Sequence, residues 1–409
     1  MTITKLLIAN RGEISIRISR AATELHIPTV AIYTYEDRYS LHRYKADEAY
    51  QVGADNDPLK PYLDMDEIIE VAKGCGADAI HPGYGFLSEN AVFASKCAEN
   101  NILFIGPSPA AMAALGDKVT AKGVAKKAGV PLIESNTIDL DNITTALAEA
   151  GRIGYPLMLK AAAGGGGRGM RVVRNDEELS RSFPEARSEA KNAFGDDTVF
   201  LEKFVDRPRH IEVQIAADHY GNIVHLYERD CSVQRRFQKV VEVAPSSGLK
   251  QETLDKLYSY AVRLAKAVNY NNLGTVEFLV DEQERIYFIE VNPRIQVEHT
   301  VTEMITGIDL IKTQLFIASG KRLSDPEIGL GDQEKIPKTG YAMQCRITTE
   351  DPLNNFKPDY GTLVTYRNAA GFGVRLDEGS TYPGMKISPF FDSMLVKSTR
   401  VGEHSLLLT

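Results

Sequence analysis

The 409-residue sequence has no excess of positive charge, few cysteines and no long apolar run. Its formal net charge of −8 argues against nucleic acid or an anionic membrane surface as the main partner. No apolar stretch approaches the roughly 20 residues that a membrane-spanning helix needs. The four cysteines, Cys75, Cys97, Cys231 and Cys345, form no CxxC pair and no zinc-like spacing. With an N-terminus that lacks a signal-peptide layout, these features predict a reduced, cytoplasmic protein without a membrane span.

Two common nucleotide-binding signatures are also missing. The first strand-to-helix turn, Asn10-Arg11-Gly12-Glu13, lacks the GxGxxG pattern of dinucleotide-binding enzymes, so we do not predict a dehydrogenase. The glycine run at 164–169 is not followed by Gly-Lys-Ser/Thr, so it is not a Walker A loop.

Hydrophobic patterning divides the chain into three predicted domains. Residues 1–115 alternate short apolar strands with amphipathic helices, which is typical of a doubly wound α/β domain. Residues 116–330 contain a compact unit at about 136–205 and then consecutive strands of an antiparallel sheet. Residues 331–409 show mostly short strands and turns. The predicted fold class is therefore mixed α/β and α+β, with a small mobile lid between the first domain and the central antiparallel sheet.

Two carboxylates and an amide are predicted to converge on the central sheet. Glu277 and Glu290 lie in strand-like segments that a short turn joins, which would place them side by side in a hairpin. Asn292 follows Glu290 by two residues and so shares its face. Such hard oxygen ligands suit Mg²⁺ or Mn²⁺ shared with substrate phosphates. Two acidic residues on a solvated hairpin are the alternative. Arg294, Gln296 and Glu298 continue the same alternation, so we expect one strand with a polar, catalytic face.

A glycine loop follows the strand that ends at Lys160. Its glycines are Gly164, Gly165, Gly166, Gly167 and Gly169. Strands flank it closely, so we interpret it as a phosphate-binding hairpin lid and not as a flexible linker, which remains the alternative. Lys160 could reach an α- or β-phosphate. Lys118 is a second candidate, although taken alone it fits a surface lysine better. The segment Glu202-Lys203-Phe204-Val205 could be a hinge that offers backbone groups to an adenine edge.

Together these segments resemble the biotin carboxylase component of biotin-dependent carboxylases, which has the ATP-grasp fold. The resemblance covers essentially the whole chain. It rests on Ala9 to Ile14, His81 to Asn90, Gly164 to Met170, Glu228 to Arg236, Glu290 to His299, and Cys345 to Ile347. Residues Ser40 to Tyr50 and Arg346 to Pro352 are most similar to the pyruvate carboxylase branch of the family.

The resemblance implies a ligase that uses ATP to phosphorylate bicarbonate to carboxyphosphate and delivers CO₂ to biotin. It implies that Glu277, Glu290 and Asn292 hold Mg²⁺ or Mn²⁺ and that Glu298 is the base that deprotonates bicarbonate. It places Lys239, Arg294, Gln296 and Val297 at the bicarbonate site and gives Arg346 the role of stabilising the biotin enolate oxygen. It assigns to the nucleotide Lys118, Lys160, the five glycines, Glu202, Lys203, Val205, His210 and Gln234.

Two departures from the family pattern affect these expectations. Phe237 stands where the family usually has histidine, from which we expect altered nucleotide affinity more than lost chemistry. Few residues follow Asp392, so we expect an incomplete C-terminal domain, with lower stability than the family's homodimer or altered association. No biotin attachment segment or carboxyltransferase domain is visible, so both are expected on other chains or on a missing remainder. An acyl-CoA carboxylase component, another ATP-grasp ligase, or a nucleotide-binding fragment without turnover remain alternatives.

Overall fold

The structure is a computed structural model of the chain. It describes residues 2–136, 139–161, 170–236 and 238–403, without the side chains of residues 118–119 and 193–194. None of the helices within these ranges has the length and apolar character of a membrane span.

The N-terminal segment forms a parallel sheet with helices on both faces. Its elements are β1 (Leu6–Ile8), α1 (Gly12–Glu24), β2 (Thr29–Tyr33), α2 (Leu41–Lys45), β3 (Glu48–Gln51), α3 (Met65–Cys75), β4 (Ala79–His81), α4 (Ala91–Glu99) and β5 (Leu103–Phe104). The strand order is β3-β2-β1-β4-β5. Leu6 and Ile8 pack with Ile14 in one core, whereas Leu7 packs with Ile68 in another, so β1 is buried on both sides. The predicted doubly wound domain is confirmed.

Two helices and a small α/β unit follow. They comprise α5 (Pro109–Gly116), α6 (Lys118–Lys127), α7 (Ile143–Ile153), β6 (Leu157–Ala161), β7 (Arg171–Val173), α8 (Asp176–Phe194) and β8 (Val199–Lys203). α5 and α6 are separate helices because Asp117 caps α6, its carboxylate accepting the amide of Thr120 at 2.7 Å. β6 pairs antiparallel with both β7 and β8. The predicted hairpin strands therefore flank the glycine loop, whose residues lie outside the described ranges.

The central part of the chain forms five adjacent strands of a large antiparallel sheet. It contains β9 (Arg209–Ala217), β10 (Ile223–Arg235), β11 (Gln238–Ala244), α9 (Gln251–Ala267), β12 (Asn272–Val280), β13 (Ile286–Asn292), α10 (His299–Thr306) and α11 (Leu310–Ala318). Apolar residues of β9 and β12, including Val213 and Phe278, pack against Leu257 of α9. This burial turns the alternate, polar residues of these strands to the opposite face.

The C-terminal segment extends the same sheet. Its strands are β14 (Tyr341–Thr348), β15 (Glu350–Asp351), β16 (Lys357–Pro358), β17 (Gly361–Thr362), β18 (Val374–Glu378), β19 (Lys386–Ile387) and β20 (Met394–Gly402). The eight-stranded order is β13-β12-β9-β10-β11-β14-β20-β18. Because β11 pairs with β14, residues far apart in sequence reach one polar face.

Candidate active site

Three adjacent strands line up acidic side chains on the polar face of the large sheet. Glu277 of β12 is in register with Glu290 of β13 and with Glu212 of β9. Its neighbours Val276 and Phe278 are buried in the core on the other face. The strand register therefore places Glu277 and Glu290 side by side, as the sequence predicted.

Lys239 of β11 reaches across the sheet to three carboxylates. Its Nζ contacts Glu212, lies 2.9 Å from Oε1 of Glu277 and lies 2.8 Å from Oε1 of Glu298. We call Glu212, Glu277 and Glu298 the carboxylate cluster. Burial alone lowers the pKa of Lys239, but the three carboxylates outweigh it and raise that pKa well above its ordinary value. The lysine is thus a fixed cation among buried anions.

His210 and Gln234 adjoin the carboxylate cluster. His210 Nε2 lies 2.7 Å from Oε2 of Glu277, and the amide nitrogen of Gln234 lies 3.1 Å from His210 Nδ1. Burial opposes charge on the imidazole, but hydrogen bonds to Glu212 and Glu277 raise the pKa of His210 to about 10. These two predicted nucleotide contacts are therefore adjacent to a predicted metal ligand.

Arg229 of β10 lies beneath this face with no solvent exposure of its side chain. Its guanidinium donates hydrogen bonds to Glu212 (3.2 Å), Gln214 (2.8 Å), Thr275 (3.0 Å), Gln296 (2.6 Å) and Thr302 (3.0 Å). It connects β9, β12 and α10, so it holds the elements on which the carboxylate cluster stands.

Glu298 is placed between two cations. Lys239 contacts one carboxylate oxygen, and Arg346 Nη2 donates to the other at 3.1 Å. Burial by itself raises the pKa of Glu298, but Lys239 and Arg346 overcome it and lower the pKa to about 2. Arg346 also donates to Glu242 Oε1 at 2.6 Å. Burial raises the pKa of Glu242 to about 7 against the opposing effect of Arg346.

The prediction that one strand runs from Glu290 to Glu298 is wrong. β13 ends at Asn292, and residues 293–298 form turns that lead into α10. Pro293 has no N–H for the ladder, and the Arg294 amide bonds back to the Asn292 carbonyl at 2.9 Å. Gln296 and Glu298 nevertheless reach the site. Gln296 Nε2 donates to Oε1 of Glu277 at 3.0 Å.

Arg294 and Val297 lie in these turns beside the carboxylate cluster. The Arg294 guanidinium donates to Glu89 Oε1 at 3.0 Å and to Asn292 Oδ1 at 2.9 Å. The Val297 carbonyl accepts from Lys397 Nζ at 3.2 Å. Residues 294–298 are therefore fixed from several directions.

The predicted metal ligands have the donor chemistry of a hard divalent cation. Asn292 Nδ2 donates to Glu277 Oε1 at 2.7 Å, so the amide lies directly beside the carboxylate row. Carboxylate and amide oxygens are the ligands that Mg²⁺ accepts in phosphate-transfer sites. One oxygen or nitrogen from each of His210, Glu212 and Glu277 also lies within 4.8 Å of the others. Of the predicted ligands, Glu277 therefore belongs to a group of donor atoms that could hold such an ion.

A second polar cluster connects β6 and β8 of the small unit with α6. Both Lys160 and Lys122 contact the Glu202 carboxylate. Burial acts to raise the pKa of Glu202, but these two lysines lower it. Lys203 Nζ donates to the carbonyls of Gly154 at 2.8 Å and Tyr155 at 2.9 Å.

A pocket of about 600 Å³ adjoins the end of β8. Its lining includes Lys203, Phe204 and Val205, together with Tyr287 of β13. Lys203 and Val205 are two of the predicted adenine contacts. The five loop glycines and Phe237 lie outside the described residues, as does the side chain of Lys118.

Comparisons with known proteins agree with this architecture. A family model described as "Biotin carboxylase, N-terminal domain" matches residues 2–112. "Carbamoyl-phosphate synthase L chain, ATP binding domain" matches 117–326, and "Biotin carboxylase C-terminal domain" matches 344–405.

Solved structures share the fold and much of the sequence. The biotin carboxylase domain of Hydrogenobacter thermophilus 2-oxoglutarate carboxylase, a dimer in complex with MgADP, ADP and bicarbonate, is 46% identical. It matches with a TM-score of 0.92 over 99% of this chain and 87% of that chain. The Campylobacter jejuni biotin carboxylase β,γ-ATP complex is 44% identical, with a TM-score of 0.91 over 98% and 88% of the two chains.

The chain belongs to the biotin carboxylase family. Its fold is accordingly the ATP-grasp fold, as the sequence predicted.

Among whole carboxylases, this biotin carboxylase chain is similar to pyruvate carboxylase of Staphylococcus aureus (strain Mu50 / ATCC 700699). The two are 56% identical over 395 residues, which is 97% of this chain and 34% of that protein. The chain thus spans about a third of the length of the curated relatives that it matches.

The site residues of this biotin carboxylase that were not predicted include Lys122, Glu212, Arg229 and Glu242. Glu212 and Gln214 alternate with Ile211, Val213 and Ile215 in β9. The same alternation marks Glu277 in β12, and it was the available signal for Glu212. Arg229 and Glu242 show less of it, because their strands mix polar and apolar residues on both faces.

Proposed function

We propose that this chain carboxylates biotin with bicarbonate at the expense of ATP. The observation that carries the proposal is the placement of Glu298 between Lys239 and Arg346, beside residues suited to a divalent cation. A buried base between two cations suits proton removal from an anionic substrate, because the same cations can hold the anion. The relative in complex with MgADP and bicarbonate supports the choice of ligands.

Glu298 is the general base in this proposal. Without substrate, Lys239 and Arg346 hold its pKa at about 2, so it is ionised at neutral pH. Bicarbonate held by Lys239, Arg294, Gln296 and the backbone at Val297 would draw Lys239 away from Glu298. The base strength of Glu298 would then rise when its substrate is in place. Arg346 is left to stabilise negative charge on the biotin oxygen.

Nucleotide and metal roles are proposed for the remaining residues. Glu277, Glu290 and Asn292 would hold Mg²⁺, or Mn²⁺ in its place, which neutralises phosphate charge during transfer. Lys118, Lys160, His210 and Gln234 would contact the phosphates with the glycines of the lid. Glu202, Lys203 and Val205 would hold the adenine beside the hinge pocket.

At the level of the whole protein, we propose the biotin carboxylase part of a pyruvate carboxylase. The 56% identity to the S. aureus protein supports this choice, and a component of an acyl-CoA carboxylase is the alternative. A biotin carrier domain and a carboxyltransferase domain would then act with this chain, and a homodimer and a cytoplasmic location are proposed as well. The proposed domain boundaries are 1–115, 116–330 with a lid at about 136–205, and 331–409.

The test is ATP hydrolysis by this chain with Mg²⁺, with and without bicarbonate and free biotin. We expect both compounds to stimulate hydrolysis and Glu298→Gln to lower the stimulated rate by about a hundredfold or more. Glu252→Gln, in an exposed pair with Lys256, is the matched control and should leave the rate unchanged. Bound ATP without any bicarbonate-dependent hydrolysis would contradict the proposal and favour a nucleotide-binding fragment.

A further inference from the structure

Two N-terminal motifs that carry no proposed role meet each other in the structure. Asn10 lies in the first, Ala9 to Ile14, and its Nδ2 donates to the carbonyls of Pro82 (2.7 Å) and Tyr84 (2.8 Å) in the second. The second motif, His81 to Asn90, also supplies the Tyr84 hydroxyl, which donates to Glu13 Oε1. The two motifs therefore form one unit at the carboxyl ends of β1 and β4, which are neighbouring strands of the N-terminal sheet.

Lys397 of β20 connects this unit to the active site. Its side chain has no solvent exposure, and its Nζ lies 3.0 Å from Glu13 Oε1. The same Nζ donates to the Val297 carbonyl at 3.2 Å. A buried ammonium with these two partners joins the N-terminal domain, the C-terminal strands and the turn before α10.

The position of the accepting carbonyl gives Lys397 a specific effect. Val297 lies between Gln296 and Glu298, so its carbonyl belongs to the peptide that precedes Glu298. A charged donor fixes the plane of that peptide, because burial leaves the ammonium few alternative partners. Lys397 is also in register with Arg346, the other partner of Glu298.

The second N-terminal motif, His81 to Asn90, holds the other end of residues 294–298. Glu89 accepts from Arg294 Nε at 3.0 Å. Residues 294–298 are thus held at one end by Glu89 and at the other by Lys397 with Glu13. Since β13 ends at Asn292, no strand ladder fixes these residues.

We propose that Lys397, supported by Glu13, is a positioning residue that presets the Val297–Glu298 peptide for bicarbonate. This inference rests on the function proposed above, since it assigns bicarbonate to the segment. It predicts that loss of Lys397 weakens the use of bicarbonate and leaves the use of MgATP nearly unchanged.

The test compares Lys397→Met, the double variant Glu13→Gln/Lys397→Met, and Lys312→Met. The double variant is needed because Lys397→Met alone leaves the Glu13 carboxylate buried without its cation. Lys312 forms a surface pair with Glu24 on α1 and is the matched control. The readouts are KM for bicarbonate, KM for MgATP and the melting temperature.

We expect the double variant to recover most of the melting temperature that Lys397→Met loses. Its KM for bicarbonate should stay raised by about tenfold, while its KM for MgATP changes by less than about twofold. The control should match the unaltered chain in all three readouts. Recovery of KM for bicarbonate together with melting temperature would overturn the proposal, because it would show a purely structural role.

Hydrogen exchange separates this inference from the proposed function. If the unaltered chain hydrolyses no ATP with bicarbonate, the proposed function fails and the position of the peptide is still measurable. We expect amides of residues 297–299 to exchange about tenfold faster in the double variant than in the unaltered chain or in Lys312→Met. Equal exchange in all three would overturn the positioning role.

Discussion

At the scale of single residues, the site depends on charges that are buried and paired. Arg229 shows this most clearly, because its guanidinium is inaccessible and its partners come from four different segments. We expect Arg229→Met to lower the free energy of unfolding by about 3–5 kcal/mol, since Glu212 would lose a buried cation. Urea unfolding followed by circular dichroism measures this.

Arg285→Met is the matched control for that substitution. The Arg285 side chain is 66% exposed and pairs with Asp281, so its removal should cost about 1 kcal/mol or less. Equal losses from the two substitutions would show that Arg229 does not support the sheet in the way described.

The motif from Glu290 to His299 placed Gln296 and Glu298 at the site although its predicted strand was wrong. Both side chains converge on the cluster through turns, so their residue types were informative while their periodicity was not. Lys122 was missed for a different reason. Its partner Glu202 comes from a strand whose neighbours in space cannot be read from local sequence.

At the scale of elements, strand positions could be predicted closely and strand ends less well. The sequence pattern predicts β10 at 223–229, whereas the strand continues to Arg235. The additional residues are mostly polar, and pairing with β11, with shifts of register, keeps them extended. This pairing is tertiary, so no local pattern in the sequence indicated it.

Gly274 in β12 allows a test of how tightly this strand packs against the side chain of Tyr270. A Cβ there would lie 2.2 Å from the Tyr270 hydroxyl, and Tyr270 is fully buried. We expect Gly274→Ala to destabilise the chain by about 1–3 kcal/mol through overpacking. The free energy of urea unfolding measures the change.

Gly74→Ala serves as the opposite case. Gly74 lies in α3, and a Cβ added to it would have no neighbouring atom within 4 Å. Alanine should therefore stabilise the helix by up to about 1 kcal/mol. If both alanines changed stability in the same direction, the contact with Tyr270 would not explain the effect at Gly274.

At the scale of the whole molecule, one sheet joins the central and C-terminal segments, and the site takes residues from both. Lys239 and Glu298 come from the central part, whereas Arg346 comes from β14 beyond the predicted boundary at 330. The sequence predicted short C-terminal strands, but it could not show that they pair with β11. Contacts between distant segments depend on topology, and local periodicity carries no information on it.

Buried neutral histidines affect the pH dependence of the folded chain as a whole. Burial lowers the pKa of His42 to about 4, although Asp37 opposes this, and lowers the pKa of His81 to about 3. An unfolded histidine has a pKa of about 6.5, so the unfolded chain binds more protons than the folded chain between about pH 4 and 6.5. Stability contributed by these residues is therefore complete above about pH 6.5 and is lost as pH falls through that window.

Proton uptake on unfolding tests this directly at His42. We expect His42→Asn to take up about one proton fewer than the unaltered chain when urea unfolds it near about pH 5, measured in a pH-stat. The same comparison near about pH 8 is the control, because histidine there is neutral in both states and the difference should vanish. An equal uptake near pH 5 would mean that His42 is already protonated in the fold, and that burial does not outweigh Asp37 and the Ile32 carbonyl, which both favour the protonated ring.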